Sequence, residues 1–416
     1  RKEAARTFKS IENVPASVIT MGISTILRAK NVILMAWGED KSRIIANTVE
    51  GKVSETVPST YLQTHMNAKA VIDLSAAYEL TRISHPWLVT NCDWDNKLIR
   101  RAIVWLCQLT GKPILKLTYQ DYVDNRLGQL LEISGMAYDE INIQVFNDLQ
   151  HTITGWPGGK PNADDSTRPE RAQPFPKRVL IFSPHPDDDV ISMGGTFRRL
   201  ITQGHDVHVA YETSGNIAVH DDVVLQTIDT ARECGFEDKY DEVKAIIAGK
   251  RKGEPEPLEL RKLKGSIRRA EAKAACRHMG LNDRTNVHFL NLPFYETGGV
   301  KKGLLTENDI SRVVKLLQEL KPDQIYAAGD LSDPHGTHRT CIEAVIEAMY
   351  QIQNEPWVKD CRFWLYRGAW QEWDLDMVDM AVPLSPDEVV QKRHAIYRHL
   401  SQKDVMPFPG EDKREF

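Results

Sequence analysis

Short apolar runs alternate with stretches of helical period along most of the chain. That pattern predicts strands followed by helices, not a helical bundle or an all-β fold. Residues 31–37 (NVILMAW) are short enough for a buried strand, and residues 38–51 (GEDKSRIIANTVEG) repeat at helical spacing and stop at Gly51. Residues 68–80 (AKAVIDLSAAYEL) predict a strand that runs into a helix, and 95–111 and 137–153 predict two more helices.

Periodicity disappears over residues 155–178 (GWPGGKPNADDSTRPERAQPFPKR), where Pro, Gly, Asn, Asp and Ser crowd together as in an interdomain linker. Beyond it, RVLIFS (178–183) reads as a strand, SPHPDDDVISMGG (183–195) as a polar loop, TFRRLITQG (196–204) as a helix and HDVHVAYET (205–213) as a second strand, which together make a βαβ unit. A long basic helix (258–280), a strand (286–292), a helix (310–320) and a strand (324–329) follow, with no internal repeat. The expected fold class is α/β: a Rossmann-like, doubly wound, mainly parallel sheet preceded by a partial α/β domain and bridging helices. The expected boundaries are 1–83 for the partial domain, 84–154 for the bridging segment, 155–178 for the linker and 179–416 for the last domain. Ligands of such sheets bind outside the carboxyl ends of the strands, where the loop after 178–183 falls.

Composition narrows the function classes. The chain has 416 residues, 41% hydrophobic and 27% charged, enough for more than one globular core. Lys and Arg number 53 against 58 Asp and Glu, for a net charge of -5 and no long basic block, which argues against nucleic acid as the main partner. Six scattered cysteines without a CxxC pair point to a reducing compartment, and the cytoplasm is the expected location. No apolar run approaches the ~18 residues needed to cross a bilayer, and RKEAARTFKS at the start has no hydrophobic signal core, so no membrane span or secretion is expected. A start at Arg1 and an end at KREF suggest a piece of a longer parent. A small molecule is the expected partner, and assembly into a homo-oligomer is left open.

The chemistry concentrates in two clusters. Ser183-Pro184-His185-Pro186-Asp187-Asp188-Asp189 follows one predicted strand, and Asp333-Pro334-His335-Gly336-Thr337-His338 follows another. Either alone reads equally well as a turn that caps a helix. Both on loops leaving one sheet edge can converge, as a metal site requires. A catalytic zinc ion takes about three imidazole and carboxylate ligands and leaves a position for water. His185, Asp188 and His338 supply that set, and iron(II) accepts the same donors. Asp187 is then left free to accept a proton, and His335 to donate to a developing oxyanion.

With Arg268-Arg269-Ala270-Glu271 opening AKAACRHMGL, these motifs resemble the PIG-L/LmbE family of zinc-dependent deacetylases that act on N-acetylglucosaminyl groups, from about residue 178 to the end. The resemblance implies the same roles: metal ligands His185, Asp188 and His338, general base Asp187, His335 on the tetrahedral intermediate and Arg268 toward the substrate. The chain departs from the family's pattern at Asp189, usually Glu, and Thr337, usually Asp. A carboxylate beside a ligand His normally tunes it, so activity level is in question more than reaction type.

Residues from about 6 to 80 resemble a second family, in VPASVITMGISTILRAKNVILMAWGEDKSRIIANTVEG and VPSTYLQTHMNAKAVIDLSAA: the carboxyl-terminal part of glucosamine-6-phosphate deaminases. That resemblance implies sugar-phosphate contacts through Lys41 and Arg6. A turn between strand and helix with a Lys in it suits phosphate on general grounds. The family's phosphate loop and catalytic residues have no counterpart here, so this half is not expected to deaminate. The leading expectation is a zinc amidohydrolase of amino-sugar metabolism. The alternatives are a sugar-phosphate-binding regulatory protein with a vestigial metal loop, and a metallohydrolase of another amide or an ester.

Overall fold

The computed structural model describes residues 15, 17, 19–162, 173–251, 254–299, 301–331, 333, 336–368 and 371–402. By internal contacts the chain divides into two compact units: Arg1–His151 with Leu375–Met377, and Thr152–Asp374 with Val378–Phe416.

In the first unit, β1 (Val32–Ala36) and β2 (Ala68–Ile72) pair in parallel with Leu34 opposite Ala70, joined through helix α1 (Ser42–Glu50). Alternate side chains of β1 are more covered, and α1 buries Ile45, but Ile33, Met35 and Val71 on the other face are 60%, 57% and 48% exposed. The helix expected directly after β2 does not form. The Asp73 carboxylate takes the Ala76 amide at 2.8 Å and the Gly38 amide at 3.2 Å, which fixes residues 73–80 as turns, and only the single helical turn Thr81–Ser84 follows. A separate helical core holds α2 (Asn96–Thr110), α3 (Tyr119–Asp124), α4 (Gly128–Ser134) and α5 (Tyr138–Thr152) around Trp87, Ile103, Leu106, Leu130 and Ile141. Asp95 starts α2 by accepting from the Leu98 amide, and Gly111, at φ 66°, ends it.

The second unit is built on five parallel strands in the order β5-β4-β3-β6-β7, namely Val287–Phe289, Asp206–Tyr211, Arg178–Ser183, Gln324–Ala328 and Arg362–Tyr366. The run Val179–Phe182 is continuous because both faces are buried. Val179 and Ile181 join Phe197, Val209 and Ala275 on one side, while Leu180 and Phe182 join Leu317, Ile325 and Val345 on the other. Each such side chain contributes ~1.5–3 kcal/mol of burial. The helices are α6 (Asp188–Thr202), α7 (Asp221–Glu233), α8 (Tyr240–Ala248), α9 (Leu258–Met279), α10 (Glu307–Leu320), α11 (Thr337–Gln351) and α12 (Pro386–Ile396). The connection after β3 goes to β4, and the later one returns to β6 on the other side of β3, so the strand order switches between β3 and β6. This is where a doubly wound sheet opens a crevice.

Two local expectations change. Helix α6 begins at Asp188, inside the stretch expected as a loop up to Gly195, with a kink at Met193. Gly194 and Gly195 are helical positions of close approach: a Cβ at 195 would meet Leu384 Cδ1 at 2.2 Å and one at 194 would meet Lys392 Cγ at 2.8 Å. Within the Pro/Gly-rich stretch 155–178, Pro157, Gly158 and Gly159 are packed into the second unit, and the Gln324 amide donates to the Pro157 carbonyl at 3.2 Å. Among the described residues no helix is long and apolar enough to cross a membrane.

Candidate metal centre

The loop after β3 is clamped before any side chain reaches the site. Ser183 Oγ donates to the His185 carbonyl at 2.6 Å and accepts from the Asp189 amide at 3.1 Å. Thr213, two residues past the end of β4, donates from its hydroxyl to the Pro184 carbonyl at 2.7 Å. After β6, the Asp333 carboxylate accepts the Thr337 amide at 3.0 Å at the start of α11.

These two loops bring His185, Asp188 and His338 together, with one ligand atom from each inside a 4.8 Å cluster. Asp188 Oδ2 is the focus. It accepts the His185 amide at 2.8 Å, and lies 3.2 Å from His185 Nδ1 and 3.2 Å from His338 Nε2. The two imidazole rings sit 5.3 Å apart. His338 is fully buried, and neither of its ring nitrogens has a hydrogen bond in good alignment among the described residues. Burial alone would raise the Asp188 pKa, but the two imidazoles hold it well below the usual carboxylate range. Burial would lower His338, but Asp188 raises it. A buried carboxylate flanked by two imidazoles, one with unsatisfied nitrogens, concentrates ligand donors at a point that draws positive charge. The donor set fits a divalent cation.

Neighbouring acids are pushed up where Asp188 is held down. Burial pushes Asp189 up to about 7, although Tyr211 donates to it at 2.9 Å, and burial pushes Glu212 up to about 8. Asp187 remains at the rim, its side chain 14% exposed, with Arg268 Nη2 3.0 Å from its Oδ2. Arg268 is 1% exposed, so it is no solvated helix charge. Three residues on, Glu271 accepts from the Ser401 amide at 2.6 Å and the Ser401 hydroxyl at 2.7 Å, tying the segment after α12 to α9.

The structure thus joins four of the sequence-predicted residues around one point, His185, Asp187, Asp188 and His338, with Arg268 directly behind Asp187. His335 and Arg6 lie outside the described residues. Lys41 is in the first unit, half-exposed at the β1–α1 turn and 2.8 Å from Asp40, while Asp73 occupies the Gly38 amide of that turn. Thr337 is buried and its hydroxyl has no partner among the described residues. Sequence reasoning missed Glu212, the buried His399, and Tyr295, whose ring stands edge-on to His185 at 5.9 Å. A signal for Arg268 was present: Leu260, Lys264, Arg268, Ala272, Ala275 and Met279 follow one helical stripe, and all are buried.

Residues 180–349 match the family model for GlcNAc-PI de-N-acetylase, PIG-L. The chain is 56% identical over 429 aligned residues to a glucosamine-6-phosphate deaminase-like protein of Bacteroides thetaiotaomicron, covering 100% of this chain and 64% of that one. Its N-terminal part is 42% identical over 84 residues to a glucosamine-6-phosphate deaminase of Corynebacterium glutamicum, which is 20% of this chain and 33% of the relative. The chain therefore spans less than two thirds of the length of these relatives. Among solved structures, the N,N'-diacetylchitobiose deacetylase of Pyrococcus horikoshii in complex with its inhibitor MPG aligns with a TM-score of 0.34 at 20% identity, over 55% of this chain and 72% of that one.

Proposed function

We propose that this chain, which carries a PIG-L domain at residues 180–349 behind a glucosamine-6-phosphate deaminase-like N-terminal part, hydrolyses the N-acetyl amide of an N-acetylglucosamine-type substrate. The observation that carries this reading is the convergence of His185, Asp188 and His338 beside a carboxylate, Asp187, that is not part of the donor cluster. These three residues would hold zinc, with iron(II) as the other ion that suits the set. When bound, zinc supplies Lewis acidity toward the amide carbonyl and toward water.

The chain's own groups supply the rest. Asp187 accepts the proton of the attacking water, and the amide C–N bond breaks to give acetate and the free amine, which takes up a proton. Arg268, buried and 3.0 Å from Asp187, orients that carboxylate. This favours a positioning role over direct contact with the sugar. His335 is assigned to the oxyanion on the family resemblance. In the first unit, Lys41 and Arg6 are assigned to sugar-phosphate contact, and Lys41 is exposed enough to make one. Six free thiols suit a cytoplasmic setting.

The test is acetate release from N-acetylglucosamine and its 6-phosphate by the metal-loaded chain. Asp187→Asn is expected to keep its metal and lose about 10²- to 10⁴-fold in kcat, the usual contribution of a positioned base. Full turnover by Asp187→Asn would remove Asp187 from the mechanism.

A further inference from the structure

The loop after β5 carries a charge that the hydrolytic scheme does not use. Lys302 lies with Nζ 3.6 Å from the centre of the Tyr295 ring, and Tyr295 in turn meets His185 edge-on, so the ammonium is one aromatic ring removed from the donor cluster. The loop is built to hold it there. The Gly303 amide donates to the Phe294 carbonyl at 2.7 Å, closing the loop on itself, and the Thr297 hydroxyl donates to the Lys301 carbonyl at 2.8 Å. Tyr295, 3% exposed, gives the stem of Lys302 a rigid apolar floor.

Three cations of α9 are matched. Arg268 faces Asp187 at 3.0 Å. Lys264 is 2.7 Å from both Asp221 and Glu256. Arg261 Nη1 donates to the Glu296 carbonyl at 2.6 Å. Lys302 is half-buried, and among the described residues no carboxylate lies within ion-pair distance of it. Glu296 and Asp333 act on it only through longer-range attraction. Burial lowers its pKa to about 8, so it remains largely charged at neutral pH. A partly desolvated ammonium without a counter-ion favours a ligand that brings one.

We infer that Lys302 recognises an anionic substituent, a phosphate ester, on the amino sugar whose acetamide is presented to His185, Asp188 and His338, so that the second unit acts on a phosphorylated N-acetylhexosamine. The inference rests on the deacetylase reading and sharpens it to a substrate class. The face of Tyr295 that carries Lys302 sets how far the phosphate stands from the acetamide. That spacing selects one phosphorylated position over another.

The experiment compares steady-state acetate release from N-acetylglucosamine, its 1-phosphate and its 6-phosphate by the wild-type chain, Lys302→Met and Lys302→Arg. Met keeps the apolar stem over Tyr295 and removes the charge; Arg keeps the charge. For the preferred phosphate ester, Lys302→Met is expected to raise KM about 10- to 100-fold, the range for one charged hydrogen bond, with Lys302→Arg recovering most of it and the unphosphorylated sugar changing less than about twofold. Calorimetry of the deacetylated sugar phosphate should show the same loss of affinity in Lys302→Met without any turnover. Equal effects of Lys302→Met on phosphorylated and unphosphorylated sugars, or a wild-type preference for the unphosphorylated sugar, would overturn the inference and leave the amidohydrolase standing. No acetate from any of the three by a metal-loaded chain, with sugar-phosphate affinity still dependent on Lys302, would overturn the hydrolytic reading instead.

Discussion

Both units start from the same grammar, an apolar strand, a turn, a helix and a second parallel strand, yet only the second gathers a metal-donor cluster among the described residues. In the second unit, β3 has strands on both sides and helices on both faces, and the strand order reverses between β3 and β6, the place where sheets of this kind bind ligands. In the first, among the described residues, β1 and β2 pair only with each other. No change of strand order is available to two strands, one face leaves Ile33, Met35 and Val71 open, and the Gly38 amide at the strand end already holds the Asp73 carboxylate. A βαβ unit positions a functional loop; a sheet that continues past it on both sides turns that loop into half of a site.

The largest break of this contrast is electrostatic. Arg268→Leu strands the Asp187 and Glu271 carboxylates inside the second unit and should destabilise it by about 3–5 kcal/mol, as loss of one member of a buried pair does. Lys41→Ala removes a half-exposed partner of Asp40 and should change the first unit by less than about 0.5 kcal/mol. Chemical denaturation of the two variants measures the difference, and similar midpoints would mean that Arg268 is solvated.

Packing comes next. Leu180→Ala opens a cavity at a fully buried position and is expected to lower stability by about 2–5 kcal/mol, whereas Met35→Ala, 57% exposed in the first unit, should stay within about 0.5 kcal/mol. A large loss in Met35→Ala would show that the open face of the small sheet is covered in solution.

The third effect appears only as pH is lowered. Burial, then the charge of Lys177, lowers the His205 pKa to about 4, while the Lys177 amide donates to its Nδ1 at 3.0 Å and so requires that nitrogen unprotonated. Unfolded, the same imidazole titrates near ~6.5. Between those values the unfolded chain binds the extra proton, so His205 makes the second unit less stable as pH falls from about 6.5 to about 4. His205→Gln should flatten that part of the profile of urea midpoint against pH, and an unchanged profile would mean that His205 is hydrated.

Much of this was legible in the sequence, and the gaps have physical causes. The β3 run and its HPDD loop could be read because a strand buried on both faces needs continuous apolar residues, and because two His/Asp loops on one sheet edge have few other uses. Gly194 and Gly195 looked like loop punctuation because nothing local shows that Leu384 and Lys392 approach them. Helices α7 and α8 lie between recognisable strands and carry small apolar faces that only α9 completes, through Val224, Val243 and Leu260. Lys302 and Tyr295 form a pair across a closed loop, and neither spacing nor period marks that contact. The missing helix after β2 depended on Asp73 meeting an amide from before α1, a contact that no sequence window spans.

The central claim is that two loops of one sheet build a single metal centre. Elemental analysis of the metal-reconstituted chain beside Asp188→Ala tests it most directly. The account expects about one divalent ion per wild-type chain, as three protein ligands hold it, and a ratio falling toward zero in Asp188→Ala with the fold retained by circular dichroism. An equal metal ratio in both proteins, or a wild-type chain that takes up no ion on reconstitution, would contradict it.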